Sequence, residues 1–325
     1  MSRPAAAAAL TTVLTVTASG CVTVHGEREI VPSATKAEAA EALKDFTDAY
    51  NKAEKNADPG ADASRITGPF GAVNQAALKA DAAQRKKNGG KSGGYSPLKL
   101  TDAKFSIPKK AGWPRWFVAD TDSNKDTNSK FRWVMVFTKG SAAQQWEASY
   151  LAFVAPGKMP EFKKDKDGWA EPVSADDPKL AVAPKDLSQE YVSYLKDGGE
   201  TFAPGALTSG WRTEREKNAK RLGLATQYID ESQNAGDFAP AGLRTEDGGA
   251  LVFFSTRHFE KRTAAEGLNL RIGDDVRALM RGDAKSSVTL EYAAGQTAQV
   301  PAKGTSNSQV SMLNRVQGLT GAKGE

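Results

Sequence analysis

The chain has 325 residues with 44 Lys and Arg against 39 Asp and Glu, a net charge of +5, and 39% hydrophobic and 26% charged residues. That excess of cations is too small and too dispersed for nucleic-acid binding, although it suits mild attraction to anionic headgroups or wall polymers. With Cys21 as the single cysteine, disulfides and cysteine clusters within one chain are excluded.

Residues 1–20 read MSRPAAAAALTTVLTVTASG, with Arg3 as the sole charge and an unbroken Ala/Leu/Val/Thr run over 5–18. A basic end, a short apolar core and a small-residue exit make an export signal, too short for a spanning helix. Ala18, Ser19 and Gly20 precede Cys21, and this stretch resembles the lipobox of bacterial lipoproteins, with Ala18 where leucine is usual. The resemblance implies thioether-linked diacylglycerol on Cys21, cleavage before it and acylation of the new amino group. Two or three acyl chains, at about 0.8 kcal/mol per buried methylene, hold a protein firmly on a membrane. An ordinary secreted protein with an incidental free thiol is the alternative. After the leader no stretch is apolar enough to span a bilayer, which places the body outside the cell membrane on its lipid anchor.

A polar tether over 21–33, containing His25, leads into TKAEAAEALKDFTDAYNKAEKNAD, where Thr35 and Glu38 form a capping box. Ala39, Leu43, Phe46, Tyr50 and Ala53 recur at helical spacing behind it. GPFGAVNQAALKADAAQRKK predicts a second helix, and NGGKSGG a flexible loop without P-loop spacing. From Pro97 the period changes: PLKLTDAKFSIP, WPRWFVADTD, KFRWVMVFTKG and QQWEASYLAFVAP read as strands of an antiparallel meander. GKMPEFKKDKDGWAEPVSADDPKLAVAP then reads as a last hairpin and a linker, its Lys-rich run 162–166 as a solvated face.

The same order recurs. DLSQEYVSYLKDGG and GALTSGWRTEREKNAKRLG predict two helices, with Tyr191 and Leu195 echoing Phe46 and Tyr50, and LATQYIDES, ALVFFSTRHFEKRT, GLNLRI and SSVTLEYAAGQTAQVP predict strands. Helices preceding a meander, twice, give an α+β fold of two similar domains, 34–177 and 178–325. Two helices on a curved antiparallel sheet resemble the NTF2-like and cystatin-like folds. The lipobox, the paired halves, LTDAKFSIPKKAGWPRWFVADTD and DAYNKA resemble uncharacterised actinobacterial lipoproteins, a likeness that implies an address and a domain plan without an assigned chemistry.

Few residues offer chemistry. His258 lies in the strand-like VFFSTRHFEKR, where a sheet histidine held by hydrogen bonds is the ordinary alternative to a catalyst. Asp120, Asp122, Asn124, Asp126 and Asn128 fall at every second position and form a weak calcium candidate, with Lys125 and Phe131 where an EF-hand needs Gly and Glu. A polar hairpin connection is the alternative. Among the clustered aromatics, Trp113 and Trp116 flank Pro114 and Arg115 and are the candidate ligand-binding pair, with core packing as the competing reading. No cofactor is expected. The sequence is read as a non-catalytic envelope binding or scaffold lipoprotein whose partner is a protein or polysaccharide. Solute capture for a transporter and an envelope enzyme stand as alternatives, to be favoured respectively by a deep cleft between the halves and by a polar pocket holding His258 beside a carboxylate.

Overall fold

The computed structural model describes residues 29–89, 94–128, 130–306 and 308–325. Cys21, the leader and His25 lie outside the described residues. In the first half, β1 (Val31–Pro32) is followed by α1 (Lys36–Asn56) and α2 (Gly68–Lys87), then β2 (Leu100–Ser106), β3 (Lys109–Lys110), β4 (Arg115–Ser123), β5 (Arg132–Lys139) and β6 (Glu147–Val154). The second half contains α3 (Leu187–Asp197), α4 (Ser209–Ala219), β7 (Lys220–Arg221), β8 (Leu224–Gln233), β9 (Ala241–Arg244), β10 (Ala250–Ala264), α5 (Asp274–Leu279), β11 (Met280–Arg281), β12 (Ser287–Val300) and β13 (Ser311–Gly324). This is a mixed α+β fold with open sheets.

The start of α1 follows from its capping box. Thr35 Oγ1 accepts from the Glu38 amide at 3.1 Å, and Glu38 returns a bond by accepting from the Thr35 amide at 2.7 Å. Ala39, Leu43 and Phe46 then share one face and bury it on the first sheet, whose strand order is β2-β4-β5-β6. Alternation along β4 and β5 sends Phe117, Ala119, Met135 and Phe137 toward α1, while Trp116, Val118, Val134 and Val136 face the other way.

That second face is also covered. Leu243, Leu251 and Phe253 of the larger sheet pack on it together with Tyr150 and Ala152. The larger sheet runs β11-β13-β12-β10-β8-β7, with β9 also on β10, and turns its opposite face to α3 through Val252, Phe254, Ala298 and Val300 against Leu187, Tyr191 and Leu195. The layers are thus helix, sheet, sheet, helix. A strand buried on both faces needs apolar residues throughout, which accounts for the continuous WVMVF of β5.

Helix α2 fills the wedge where β6 meets β12 and β13. Gly318 is what lets it sit so close: a Cβ there would stand 2.4 Å from Val73 Cγ1. Short α5 supports the exposed end of α2 through Lys87 and Asp274 at 2.9 Å and a bond from Gln84 to Asp275.

Segment 155–186 stitches the halves. It forms a small hairpin, Lys164 against Ala170, whose arms bridge to the second half at Phe162 with Thr245 and Pro172 with Leu243. Asp177, at the expected boundary, is buried and paired with Arg244. One expected strand is absent and one strand was not expected. GLNLRI is irregular chain that joins no ladder, anchored by Leu270 and Ile272 on Val288, Leu290 and Ala322 at the end of the sheet. Strand β13 carried no strand pattern in the sequence; of its glycines, Gly318 marks where α2 presses on it.

Candidate functional site

Strand β10 pairs successively with two strands on one edge, β9 over Ala250 to Phe253 and β8 over Ser255 to Ala264. Between β8 and β9 the chain makes a turn at 236–238, and this turn leans against the first sheet. Tyr150 Oη donates to the carbonyls of Phe238 and Ala239, each at 3.0 Å. Gly68 permits the approach from the other side: at φ 57° it adopts a conformation that favours glycine, and a Cβ would lie 2.6 Å from the Asp237 carbonyl. The turn, β3, β4, β5 and β6 enclose a cleft of about 500 Å³ at the seam between the halves.

The cleft has an apolar wall of Pro114, Trp116 and Ala239 and a polar one that includes Lys110, Glu147 and Asp237. Burial, reinforced by Asp237, pushes the Glu147 carboxyl above its usual range. Burial, with Arg115 close by, pulls Lys110 below the usual lysine range. Two carboxylates and one weakened ammonium beside an indole suit a ligand with a flat apolar face and hydroxyl or amino groups.

The structure places the predicted residues as follows. Trp116 is 9% exposed, lines the cleft and also packs with Val118 and Tyr150, so its indole serves both core and cleft. Trp113 is half-buried outside that lining, with the Arg115 guanidinium 4.7 Å above its ring. The alternating acids do not converge on a point. Asp120 and Asp122 bind Arg132, at 2.5 and 2.7 Å, and Asp102 joins them at 3.0 Å. Asn124 bridges Lys99 and Pro97 backbone, and Asp126 accepts from the amides of Asn128 and Phe131. A guanidinium occupies the place a calcium ion would need, and among the described residues no group of three or more His, Cys, Asp or Glu is placed to hold a metal. The Lys-rich run is a partly solvated hairpin, with Lys163 paired to Glu171 at 2.9 Å.

His258 is 3% exposed, stacked 4.7 Å from Tyr292, and its Nε2 is 3.8 Å from Glu260 Oε1 without a hydrogen-bond partner. A carboxylate does stand beside it, but Glu260 is bound to Arg262 at 2.6 Å and the imidazole is sealed from solvent. Sequence reasoning missed Lys110, Glu147 and Asp237. Nothing local marks them, because Asp237 reaches Glu147 only through the pairing of β8 and β9 with β10.

Comparison with known proteins adds the family. The model described as domain of unknown function DUF8094 matches residues 30–324. The chain belongs to this family. A single DUF8094 match therefore spans both halves and the segment between them. The chain is similar to an uncharacterised lipoprotein of Streptomyces avermitilis, 56% identical over 324 residues, covering 99% of this chain and 96% of the relative. It is 56% identical over 315 residues to an uncharacterised lipoprotein of Streptomyces coelicolor, covering 97% and 93%. A second lipoprotein of that organism is 30% identical over 213 residues, covering 63% and 59%. No solved structure matches the chain. The relatives' names agree with the resemblance to actinobacterial lipoproteins carried by the residues around Cys21, and no described helix is long and apolar enough to cross a membrane.

Proposed function

We propose that this DUF8094 protein is a lipid-anchored binding protein of the cell envelope, held by Cys21 on the extracytoplasmic face, with the seam cleft as its ligand site. The cleft carries the reading: it joins the Trp116 indole to Glu147 and Asp237, which suits one or two sugar residues of an envelope polysaccharide. We further infer that the halves are related NTF2-like or cystatin-like units, since two helices precede an antiparallel sheet in each. A non-catalytic role is supported by the enclosure of His258, which leaves a substrate no route to the imidazole. Solute capture for a transporter is favoured by the contribution of both halves to the cleft.

Two experiments test this. Replacing Cys21 by Ala is expected to move the protein from the membrane fraction to the medium, and continued retention would contradict the anchor. Soluble disaccharide and polymeric fragments of wall glycan, titrated onto the chain by calorimetry, are expected to bind in a manner lost with Trp116→Ala. Binding of free disaccharide as tight as that of polymer favours solute capture, whereas heat unchanged by the substitution removes the cleft from consideration.

A further inference from the structure

A second hollow, of about 520 Å³, lies on the opposite face of the larger sheet, enclosed by the end of α3, by α4 and by β8. Val192 and Leu195 on α3 and Ile229 on β8 make its lining apolar, while Lys196, Arg212 and Arg215 bring three cations to it. Two carboxylates are also present, Asp230 and the exposed Glu216.

Arg215 is 7% exposed. Its Nη1 and Nη2 donate to the two oxygens of Asp230 at 2.6 and 2.8 Å, so that carboxylate satisfies one edge of the guanidinium. Its Nε–H is buried and has no partner, and the Trp211 and Tyr228 rings lie 5.0 and 4.9 Å from the guanidinium carbon. A buried donor left without an acceptor is unfavourable, and such a group points to something that completes it. Arg212 adds a charge that no carboxylate meets: its Nε donates to the Leu195 carbonyl at 3.3 Å, and among the described residues it is in no ion pair. Gly198 makes room for it, since at φ 81° a Cβ would stand 2.4 Å from Arg212 Nη1. A buried arginine with one unused edge, a second arginine without a carboxylate, and apolar side chains between them describe a site with two chemical ends.

We propose that this hollow binds an amphiphilic anion, its apolar body against Val192, Leu195 and Ile229 and its carboxylate or sulfonate on Arg212, beside the Arg215 guanidinium. The assignment is independent of the seam cleft. An uncharged apolar ligand would leave Arg212 without a carboxylate, and a cation would meet Lys196 and Arg212 with Glu216 as the one carboxylate not already bound to Arg215.

The test uses the full chain carrying Cys21→Ala, which needs no detergent, and the fluorescent anion 1-anilinonaphthalene-8-sulfonate. Saturable one-to-one binding is expected, displaced by octanoate, with affinity reduced about tenfold in Arg212→Ala, the loss of one charge-assisted contact. Val192→Trp, which fills the hollow, is expected to abolish it while near-ultraviolet circular dichroism stays native. If either variant is unfolded by that criterion, Lys196→Ala at the exposed rim decides, with a loss of about threefold. N-phenyl-1-naphthylamine, which has the same rings without the sulfonate, is expected to bind at least about tenfold more weakly. Equal binding of the neutral dye, insensitivity to these substitutions, or no saturable binding at all would overturn the proposal.

Discussion

The ion pair between Asp177 and Arg244 gives the account its sharpest stability prediction. Its side chains are 10% and 7% exposed, and it ties segment 155–186 to β9. Removing one partner of a buried pair leaves an uncompensated charge, at a cost of about 3–5 kcal/mol. In Asp177→Ala some compensation survives, because Arg244 still donates to the Gly248 carbonyl at 3.1 Å and Glu171 stands 3.8 Å from its Nε. The expected loss is therefore near the lower limit, about 3 kcal/mol. Arg244→Met strands Asp177 with only the Lys179 amide at 2.9 Å, and about 3–5 kcal/mol is expected there. The double variant puts apolar groups on both sides and should lose at least about 2 kcal/mol less than the sum of the single losses. Urea unfolding followed by tryptophan fluorescence measures all three. Single losses below about 1 kcal/mol that simply add would refute the view that this pair holds the halves together.

Other outcomes follow from named contacts. Thr35→Ala removes half of the capping box and is expected to lower stability by about 1 kcal/mol in the same assay. Phe46→Ala empties a fully buried position between α1 and β5 and should cost about 3–5 kcal/mol. Gly318→Ala forces a methyl against Val73, with an expected loss of about 1–3 kcal/mol that Val73→Ala relieves. Asp62 is fully buried and burial pushes its pKa up to about 6, although Asn74 and Gln75 donate to it at 2.8 and 2.7 Å. The folded state thus holds a proton that the unfolded state has released, so this stabilisation is complete below about pH 4 and disappears as pH rises through 6, by about 2–3 kcal/mol. Unfolding titrations from pH 4 to 7 should show that fall, and Asp62→Asn should flatten it.

What was legible in the sequence was what neighbours in sequence decide. Thr35, Glu38 and the Ala39, Leu43, Phe46 stripe specify α1 locally, and the apolar run in β5 announced a strand. That both its faces are covered was not legible, because Leu251 and Phe253 arrive from the other half of the chain. Alternation misled twice. In 120–126 it suggested oxygens gathered on one ion, whereas Arg132 across the hairpin takes two of them. In GLNLRI it suggested a strand where two side chains anchor a loop. The seam cleft shows the same limit: Trp116 stood out by residue type, while Glu147 and Asp237 are brought together by a turn held by Tyr150 and by the close approach that Gly68 permits.

Amide chemical-shift mapping of the full chain with a soluble wall-glycan fragment bears most directly on the proposed function. Shifts gathered at Trp116, Glu147 and Asp237 are what the account predicts. Saturable shifts confined to other surfaces, with these three unmoved, would contradict it.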